Sequence, residues 1–85
     1  MKQLINQMTL RFDSRSVNEG FARVSAAAFI APLDPTIDEL NDLKTAVSEA
    51  VTNCIVHAYP DRVGTIVMTA RIYEQGMVEF TIRDR

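Results

Sequence analysis

A long amphipathic helix with clearly marked ends limits most strongly how this chain can fold. The stretch from Thr36 to Glu39 has the pattern of a capping box, in which each side chain accepts a backbone N–H at the helix start. Helical spacing of apolar residues then continues to about residue 58, and Pro60 ends the helix because proline cannot continue its hydrogen-bond ladder. The residues predicted to face inward are Leu40, Leu43, Val47, Ala50, Val51, Cys54, Ile55 and Ala58. This apolar stripe must pack against the elements before and after it.

A strand and a shorter helix are predicted before the long helix. Residues 7–13 (Gln7 to Asp13) alternate apolar and polar side chains, as a half-buried strand does. The next helix is predicted to begin at Ser16, with Glu19 completing a second capping box. It is predicted to end at the two prolines of "APLDP". Its core stripe is predicted to consist of Val17, Phe21, Val24 and Ala28.

Two further strands are predicted after the long helix. Residues 65–73 are rich in β-branched and apolar side chains, and residues 74–76 form a turn that contains a glycine. Residues 77–84 alternate again, with Val78, Phe80 and Ile82 on one face. The order strand, helix, helix, strand, strand predicts an α+β fold. We expect a two-layer sandwich, with two helices packed on a mostly antiparallel sheet, as a single domain covering residues 1–85.

Composition excludes several classes of protein. The chain has 85 residues, 47% of them hydrophobic and 24% charged, which is typical of one small globular domain. A net charge of −2 without a basic run gives no electrostatic footprint for nucleic acid. Cys54 is the only cysteine, and no segment resembles a signal peptide or a membrane span. These features favour a soluble cytoplasmic protein that contacts neither nucleic acid nor membrane.

The polar residues near the end of the long helix are unusual for a surface. Glu49, Asn53 and His57 recur every fourth residue, and residues 45–60 contain no lysine or arginine. Spacing alone favours a solvated face, whereas the lack of long cationic side chains favours a site. A carboxylate and an amide oxygen one turn apart suit a general base and a Mg²⁺ ligand. A zinc site is less plausible, because zinc prefers sets of histidine and cysteine.

A resemblance to a known family extends over nearly the whole chain. The stretch "EAVTNCIVHAY" resembles the N box of the GHKL ATPases, the superfamily that includes DNA gyrase, histidine kinases and mismatch-repair ATPases. The longer stretch "NEGFARVSAAAFIAPLDPTIDELNDLKTAVSEAVTNCIVHAY", together with "VEFTIRDR", is similar to the sporulation anti-sigma F factors. Members of that family are protein serine kinases of spore-forming bacilli. The resemblance implies an ATP-dependent kinase that requires Mg²⁺ and cycles between ATP and ADP.

The resemblance also implies roles for individual residues near the nucleotide. Glu49 matches the catalytic base that activates the attacking hydroxyl, and Asn53 matches the Mg²⁺ ligand that bridges the ATP phosphates. His57, Ala58 and Tyr59 complete the N box. A capping or packing role for His57 remains as plausible as a direct contact with the nucleotide. Asp84 matches the carboxylate that accepts a hydrogen bond from the adenine amino group.

A second group of residues is implied in partner binding. Glu19 and Arg23 lie four residues apart, in the order that favours an ion pair on a helix. The resemblance implies that Arg23 contacts sigma factor F and the anti-anti-sigma factor (stage II sporulation protein AA), with Glu19 beside it. It also implies a homodimer, to which the first strand and first helix contribute. Three residues predicted to lie off the core stripe either cover the sheet edge or form a partner surface: Ala26, Phe29 and Ile30.

One departure from the family concerns the end of the chain. The family pattern implies glycines after Asp84, then an ATP lid and a further glycine-rich box, none of which follows Arg85. We therefore expect an N-terminal part of the domain, truncated before the lid, that binds Mg-ATP weakly and has little kinase activity alone. One alternative is a protein-binding module that keeps the fold without kinase activity. Another is a relative within the superfamily that acts on other sigma regulators.

Overall fold

Three strands form one antiparallel sheet in the order β1-β2-β3 in the computed structural model, which describes residues 3–84. The elements in chain order are β1 (Leu4–Asp13), α1 (Val17–Ile30), α2 (Ile37–Asn53), β2 (Thr65–Tyr73) and β3 (Val78–Asp84). Both helices lie in the connection between β1 and β2 and pack on one face of the sheet. The predicted two-layer α+β sandwich is confirmed.

The hydrophobic core lies between the central strand β2 and the two helices. Ile66 and Met68 are fully buried on the helix-facing side of β2. The strand register places Leu10 of β1 and Ile82 of β3 on either side of Met68, so all three strands contribute to the same face. Burying a side chain of this size stabilises a fold by roughly 1.5–3 kcal/mol. The predicted placement of Val78, Phe80 and Ile82 on one face is confirmed by their pairing with β2 residues of the core face. Phe80 and Ile82 are half-buried there, whereas Val78 is exposed.

The buried residues of α1 differ from the predicted core stripe. Val17, Phe21 and Val24 are 77%, 53% and 62% exposed, and Ala28 is exposed as well. The buried residues of α1 are instead Ala22, Ala26 and Ile30. At about 100° per residue these two sets lie on roughly opposite sides of the helix. Each set keeps helical spacing, so periodicity could not choose between them.

The residues predicted to lie off the core must be reassigned for the same reason. Ala26 is fully buried and Ile30 is 7% exposed, so neither is available as a partner surface; Phe29 is half-buried. Alanines at the buried positions let the α1 backbone approach its neighbours closely, which larger side chains would prevent. Of the larger apolar residues of α1, Val17, Phe21 and Val24 face solvent.

The two predicted capping boxes have different outcomes. At α2 the box is present: the Thr36 hydroxyl accepts the Glu39 N–H at 3.1 Å, and the Glu39 carboxylate accepts the Thr36 N–H at 2.8 Å. At α1 the prediction is wrong, because Ser16 itself has helical dihedral angles and its side chain makes no capping bond. The Glu19 carboxylate bonds to another helix instead.

The capping box of α2 also responds to pH. The backbone hydrogen bond from Thr36 holds the pKa of the Glu39 carboxyl below its ordinary value. A carboxyl whose pKa is lowered by folding stabilises the fold above its unfolded pKa, and this stabilisation is lost as pH falls through the folded pKa. The contribution of this box is therefore present at neutral pH and disappears in acid.

Several element boundaries differ by a few residues from those predicted. β1 begins at Leu4 rather than Gln7, with an irregularity in its pairing with β2 between Leu4 and Asn6. β3 begins at Val78 rather than Met77. β2 has the predicted bounds, and the turn before β3 places Gln75 and Gly76 at positive φ.

The predicted truncation point at Arg85 lies outside the described residues. None of the helices within residues 3–84 combines the length and hydrophobicity required of a transmembrane segment.

Candidate nucleotide and partner-binding site

The end of the long helix widens where the sequence pattern predicted a site. After Asn53 the α-helix continues as a π-helical turn, Cys54–Ala58, which closes with a 3.2 Å hydrogen bond from the Tyr59 N–H to the Cys54 carbonyl. Turns of this kind are rare and occur often at functional sites. His57 lies within this π turn and is exposed. The helical run to Ala58 is confirmed, but its last turn is not an α turn.

A close contact between Tyr59 and Gly64 holds the segment that follows this turn. Tyr59 is 4% exposed, and its hydroxyl donates to the Thr65 carbonyl at 3.0 Å. Its ring lies where a Cβ of residue 64 would be, so only glycine fits there. Ser14 fixes Gly64 from the other side, because its N–H donates to the Gly64 carbonyl at 2.9 Å and its hydroxyl accepts the Gly64 N–H at 2.8 Å. The side chain of Tyr59 therefore packs in the core, and its nucleotide-binding role stays a prediction.

Glu49 and Asn53 lie exposed on the last turns of α2. Four residues of helix advance by about 6 Å, so their side chains lie one above the other. They line a shallow open groove together with Ser48 and Thr52. The exposed carboxylate and amide oxygens fit the donor set that Mg²⁺ with nucleotide phosphates requires. Within residues 3–84, no three histidine, cysteine or acidic side chains converge on a site that could hold a metal ion without such a ligand.

Asp84 reaches the same end of the helix layer from the sheet. It is the last residue of β3 and pairs with Ile66, so its side chain lies on the helix-facing side of the sheet. Its charge acts on Cys54: burial, and to a smaller extent the Asp84 carboxylate, raises the pKa of the Cys54 thiol. Cys54 directly follows Asn53 in the chain. The structure thus brings Asp84 near half-buried Cys54, while Ala58 is half-buried and His57 is exposed.

The placement of Asp84 predicts the reactivity of Cys54. A thiol with a raised pKa forms little thiolate at neutral pH and alkylates slowly. We expect Asp84→Asn to speed alkylation of Cys54 by iodoacetamide at about pH 8, because removing the negative charge lowers the thiol pKa and increases the thiolate fraction. The increase should be modest, since burial is the larger cause.

Mass spectrometry at timed intervals measures this reaction. Glu79→Gln, which removes an exposed β3 carboxylate that pairs with Arg71, serves as the control and should leave the rate unchanged. Equal rates in Asp84→Asn and the unmodified chain would show that the carboxylate does not lie near the thiol.

A second groove lies between α1 and α2 and contains the predicted partner-binding residues. The Arg23 guanidinium lies 3.7 Å from the Glu19 carboxylate, and the same carboxylate accepts a 2.8 Å hydrogen bond from the Ser48 hydroxyl. Ser48 and Glu49 line this groove as well as the one beside Asn53. The remaining lining residues are Val24, Asn41, Lys44 and Thr45. The groove that contains Glu19 and Arg23 therefore adjoins the groove that contains Asn53, and Ser48 and Glu49 line both. The other predicted nucleotide-binding residues line neither groove: His57, Ala58, Tyr59 and Asp84.

Comparison with known proteins identifies the family of this chain. Residues 10–85 match the family model described as the histidine kinase-like ATPase domain. The chain belongs to this family. It is also 56% identical over 79 residues to proteins named anti-sigma F factor from Geobacillus thermodenitrificans (strain NG80-2), Geobacillus stearothermophilus and Bacillus cereus (strain G9842). Each alignment covers 93% of this chain and 54% of the relative, so the chain spans about half the length of these relatives.

Two features of this ATPase domain were missed by sequence reasoning. The Ser48–Glu19 hydrogen bond joins residues 29 positions apart, and no local pattern indicates it. The contact of Tyr59 with Gly64 left a weak signal, because a glycine shortly after a buried aromatic often marks a close approach. Both features position the end of α2, where the predicted site residues lie.

Proposed function

We propose that the protein is an ATP-dependent protein serine kinase that binds and inhibits sporulation sigma factor F. In this proposal it also phosphorylates the anti-anti-sigma factor on serine, in the cytoplasm of a spore-forming bacterium. The observation that carries the proposal is that Glu49 lines both the groove beside Asn53 and the groove that contains Glu19 and Arg23. The similarity to proteins named anti-sigma F factor supports the identity of the sigma factor.

The chemistry assigns one task to each residue of the nucleotide groove. Mg-ATP, when bound, supplies the phosphoryl group and neutralises its charge. The Glu49 carboxylate accepts the proton of the substrate serine hydroxyl as the serine Oγ–P bond forms and the bond from the γ-phosphorus to the ADP oxygen breaks. The Asn53 amide oxygen would hold Mg²⁺. The Asp84 carboxylate, outside this groove at the end of β3, would accept a hydrogen bond from the adenine amino group.

The groove between α1 and α2, called the partner groove below, contains Arg23, whose side chain is oriented by its ion pair with Glu19. Arg23 is 43% exposed and Glu19 is 27% exposed, so the guanidinium remains accessible to a partner carboxylate while one side is fixed. As a surface pair the two residues contribute only about 0.3–0.5 kcal/mol to stability. Breaking the pair to form a new contact is therefore inexpensive, which suits a residue that binds two partners in turn.

The exposed face of α1 supports a homodimer. Val17, Phe21, Val24 and Ala28 form an apolar stripe on the side of α1 opposite the core, and no described element covers it. Stripes of this kind on a small domain mark protein–protein contacts. A second copy of the chain would bury it across an isologous interface.

A protein-binding module without kinase activity is the second candidate. The observation that favours it is the groove between α1 and α2, which contains Glu19 and Arg23. Such a module would keep the partner groove and the apolar stripe but would bind nucleotide weakly. Mg-ATP binding therefore distinguishes the two candidate functions, whereas binding of sigma factor F does not.

Two titrations test the proposal. Calorimetry with Mg-ATP should show binding by the protein expressed from its full reading frame, and Asn53→Ala should remove this binding. Binding of sigma factor F should weaken by about 30-fold in Arg23→Ala, the loss typical of an interface hot spot. Arg11→Ala removes an exposed arginine of β1, and this variant should bind sigma factor F normally.

Light scattering on the same protein samples tests the proposed homodimer and should give twice the mass of one chain.

The outcomes separate the alternatives. Sigma binding without Mg-ATP binding by the full reading frame would favour the binding module. Equal sigma binding by Arg23→Ala and the unmodified protein would exclude the groove between α1 and α2 as the partner site.

A further inference from the structure

One buried serine makes hydrogen bonds that the proposed chemistry does not use. Ser14, which directly follows β1, is 5% exposed, and within residues 3–84 every other buried residue is apolar or aromatic. Its hydroxyl accepts the Gly64 N–H at 2.8 Å, and its own N–H donates to the Gly64 carbonyl at 2.9 Å. Burying a hydroxyl is costly unless it is hydrogen-bonded, so the side chain and the Gly64 backbone depend on each other.

Gly64 lies between two parts of the candidate nucleotide site. On its N-terminal side, the Tyr59 ring occupies the space of the missing Cβ, and the Tyr59 N–H closes the π turn on the Cys54 carbonyl. On its C-terminal side, Gly64 directly precedes β2, in which Ile66 pairs with Asp84. A shift of Gly64 would therefore displace the end of the π turn and the strand position that holds Asp84.

We infer that Ser14 is a positioning residue for nucleotide binding, which it supports by fixing Gly64 between Tyr59 and Asp84; this inference rests on the function proposed above. Because Ser14 is buried, it acts through Gly64 and not by touching the nucleotide. Three elements meet at this point, since Ser14 extends from β1, Tyr59 ends the helical run of α2, and Gly64 begins β2. One hydroxyl thus sets how the sheet and the helix end are placed relative to each other.

Ser14→Ala should weaken Mg-ATP binding without slowing the chemical step. The substitution removes the acceptor of the Gly64 N–H and keeps the backbone bond, so residues 59–64 populate further arrangements. The dissociation constant then rises by the inverse of the fraction that remains competent to bind. One net hydrogen bond corresponds to roughly 2- to 12-fold in an equilibrium constant, and we expect a rise of about fivefold. Bound Mg-ATP selects the competent arrangement, so the phosphorylation rate at saturation should stay within about twofold.

The test uses the protein expressed from its full reading frame. Calorimetry gives the Mg-ATP dissociation constant, and single-turnover phosphorylation at saturating Mg-ATP gives the rate. Ile72→Val is the matched control, because it trims a buried side chain at the opposite end of β2 and should lower Tm by a similar amount. Its dissociation constant should be unchanged. Ser16→Ala removes an exposed serine that makes no capping bond and should alter neither Tm nor affinity.

The possible outcomes distinguish the positioning role from the proposed function. A change of less than twofold in the dissociation constant of Ser14→Ala would overturn the positioning role and leave the proposed function in place. The same rise in Ile72→Val would also overturn it, since affinity would then follow overall stability. Failure of the unmodified protein to bind Mg-ATP would overturn the proposed function and the positioning role together.

A second variant keeps the inference testable if Ser14→Ala does not fold. Tyr59→Phe keeps the ring against Gly64 but removes the hydroxyl that donates to the Thr65 carbonyl. It loosens the same segment from the start of β2, so the dissociation constant for Mg-ATP should again rise about fivefold at an unchanged saturated rate. An unchanged dissociation constant in Tyr59→Phe would show that nucleotide binding does not depend on how this segment is held, which would overturn the inference.

Discussion

Glu49→Gln should lower the rate of serine phosphorylation by about 10²- to 10⁴-fold, the usual contribution of a positioned general base. The substitution keeps the size of the side chain and its place on α2 but removes the group that accepts the serine proton. Glu49 is exposed and makes no hydrogen bond or ion pair within residues 3–84, so the fold should be unaffected. Single-turnover phosphorylation of the anti-anti-sigma factor, with Mg-ATP binding measured in parallel, tests this.

The rate and the affinity should respond differently to this change. Because Glu49 acts on the substrate hydroxyl, Glu49→Gln should lower the rate constant and leave Mg-ATP affinity nearly unchanged. Glu74→Gln removes an exposed carboxylate of the turn before β3 and should have neither effect. A loss of less than about tenfold for Glu49→Gln would assign the proton acceptor to another group. An equal loss of Mg-ATP affinity would instead place Glu49 at the metal or phosphates.

The two helices differ in how much of their structure the sequence determines. α2 has one apolar face, a capping box at Thr36 and a proline beyond its end, and these signals agree with one another. Its inward residues were therefore predicted correctly. α1 has an apolar stripe on each side, and periodicity gives both the same spacing. Only contact with the rest of the fold decides that the alanine side packs inward.

The candidate site also combines features that the sequence determines with features that only tertiary packing determines. The positions of Glu49 and Asn53 on one exposed side of α2 follow from helical spacing alone, and the structure places them there. The π turn after Asn53 and the approach of Asp84 to Cys54 depend on how β3 pairs with β2 and how the helix end packs. Long-range packing of this kind leaves no periodic pattern in the sequence. The relative positions of residues on one helix could thus be predicted from spacing, whereas the spatial relation of residues on different elements could not.

Gly64→Ala should destabilise the fold by about 1–3 kcal/mol, the usual cost of forcing an extra carbon into a packed position. The new Cβ would overlap the ring of Tyr59, which is buried and held by its hydroxyl on the Thr65 carbonyl. Relief requires movement of the ring or of the 64–65 backbone, and Ser14 fixes that backbone with two hydrogen bonds. Thermal unfolding should show a decrease in Tm of roughly 4–8 °C for each kcal/mol.

A second glycine, Gly20, provides a control substitution for which we expect the opposite change in stability. A Cβ at Gly20 of α1 would find its nearest neighbour, Arg23 Nη2, at an ordinary 3.6 Å. Alanine favours a helix over glycine by about 1 kcal/mol, so Gly20→Ala should stabilise the fold. Because Tyr59 ends the π turn that follows Asn53, displacing its ring should also weaken Mg-ATP binding in Gly64→Ala and not in Gly20→Ala. A Gly64→Ala protein with unchanged Tm would show that the ring and the loop move apart freely, and the end of α2 would then owe its shape to the helix alone.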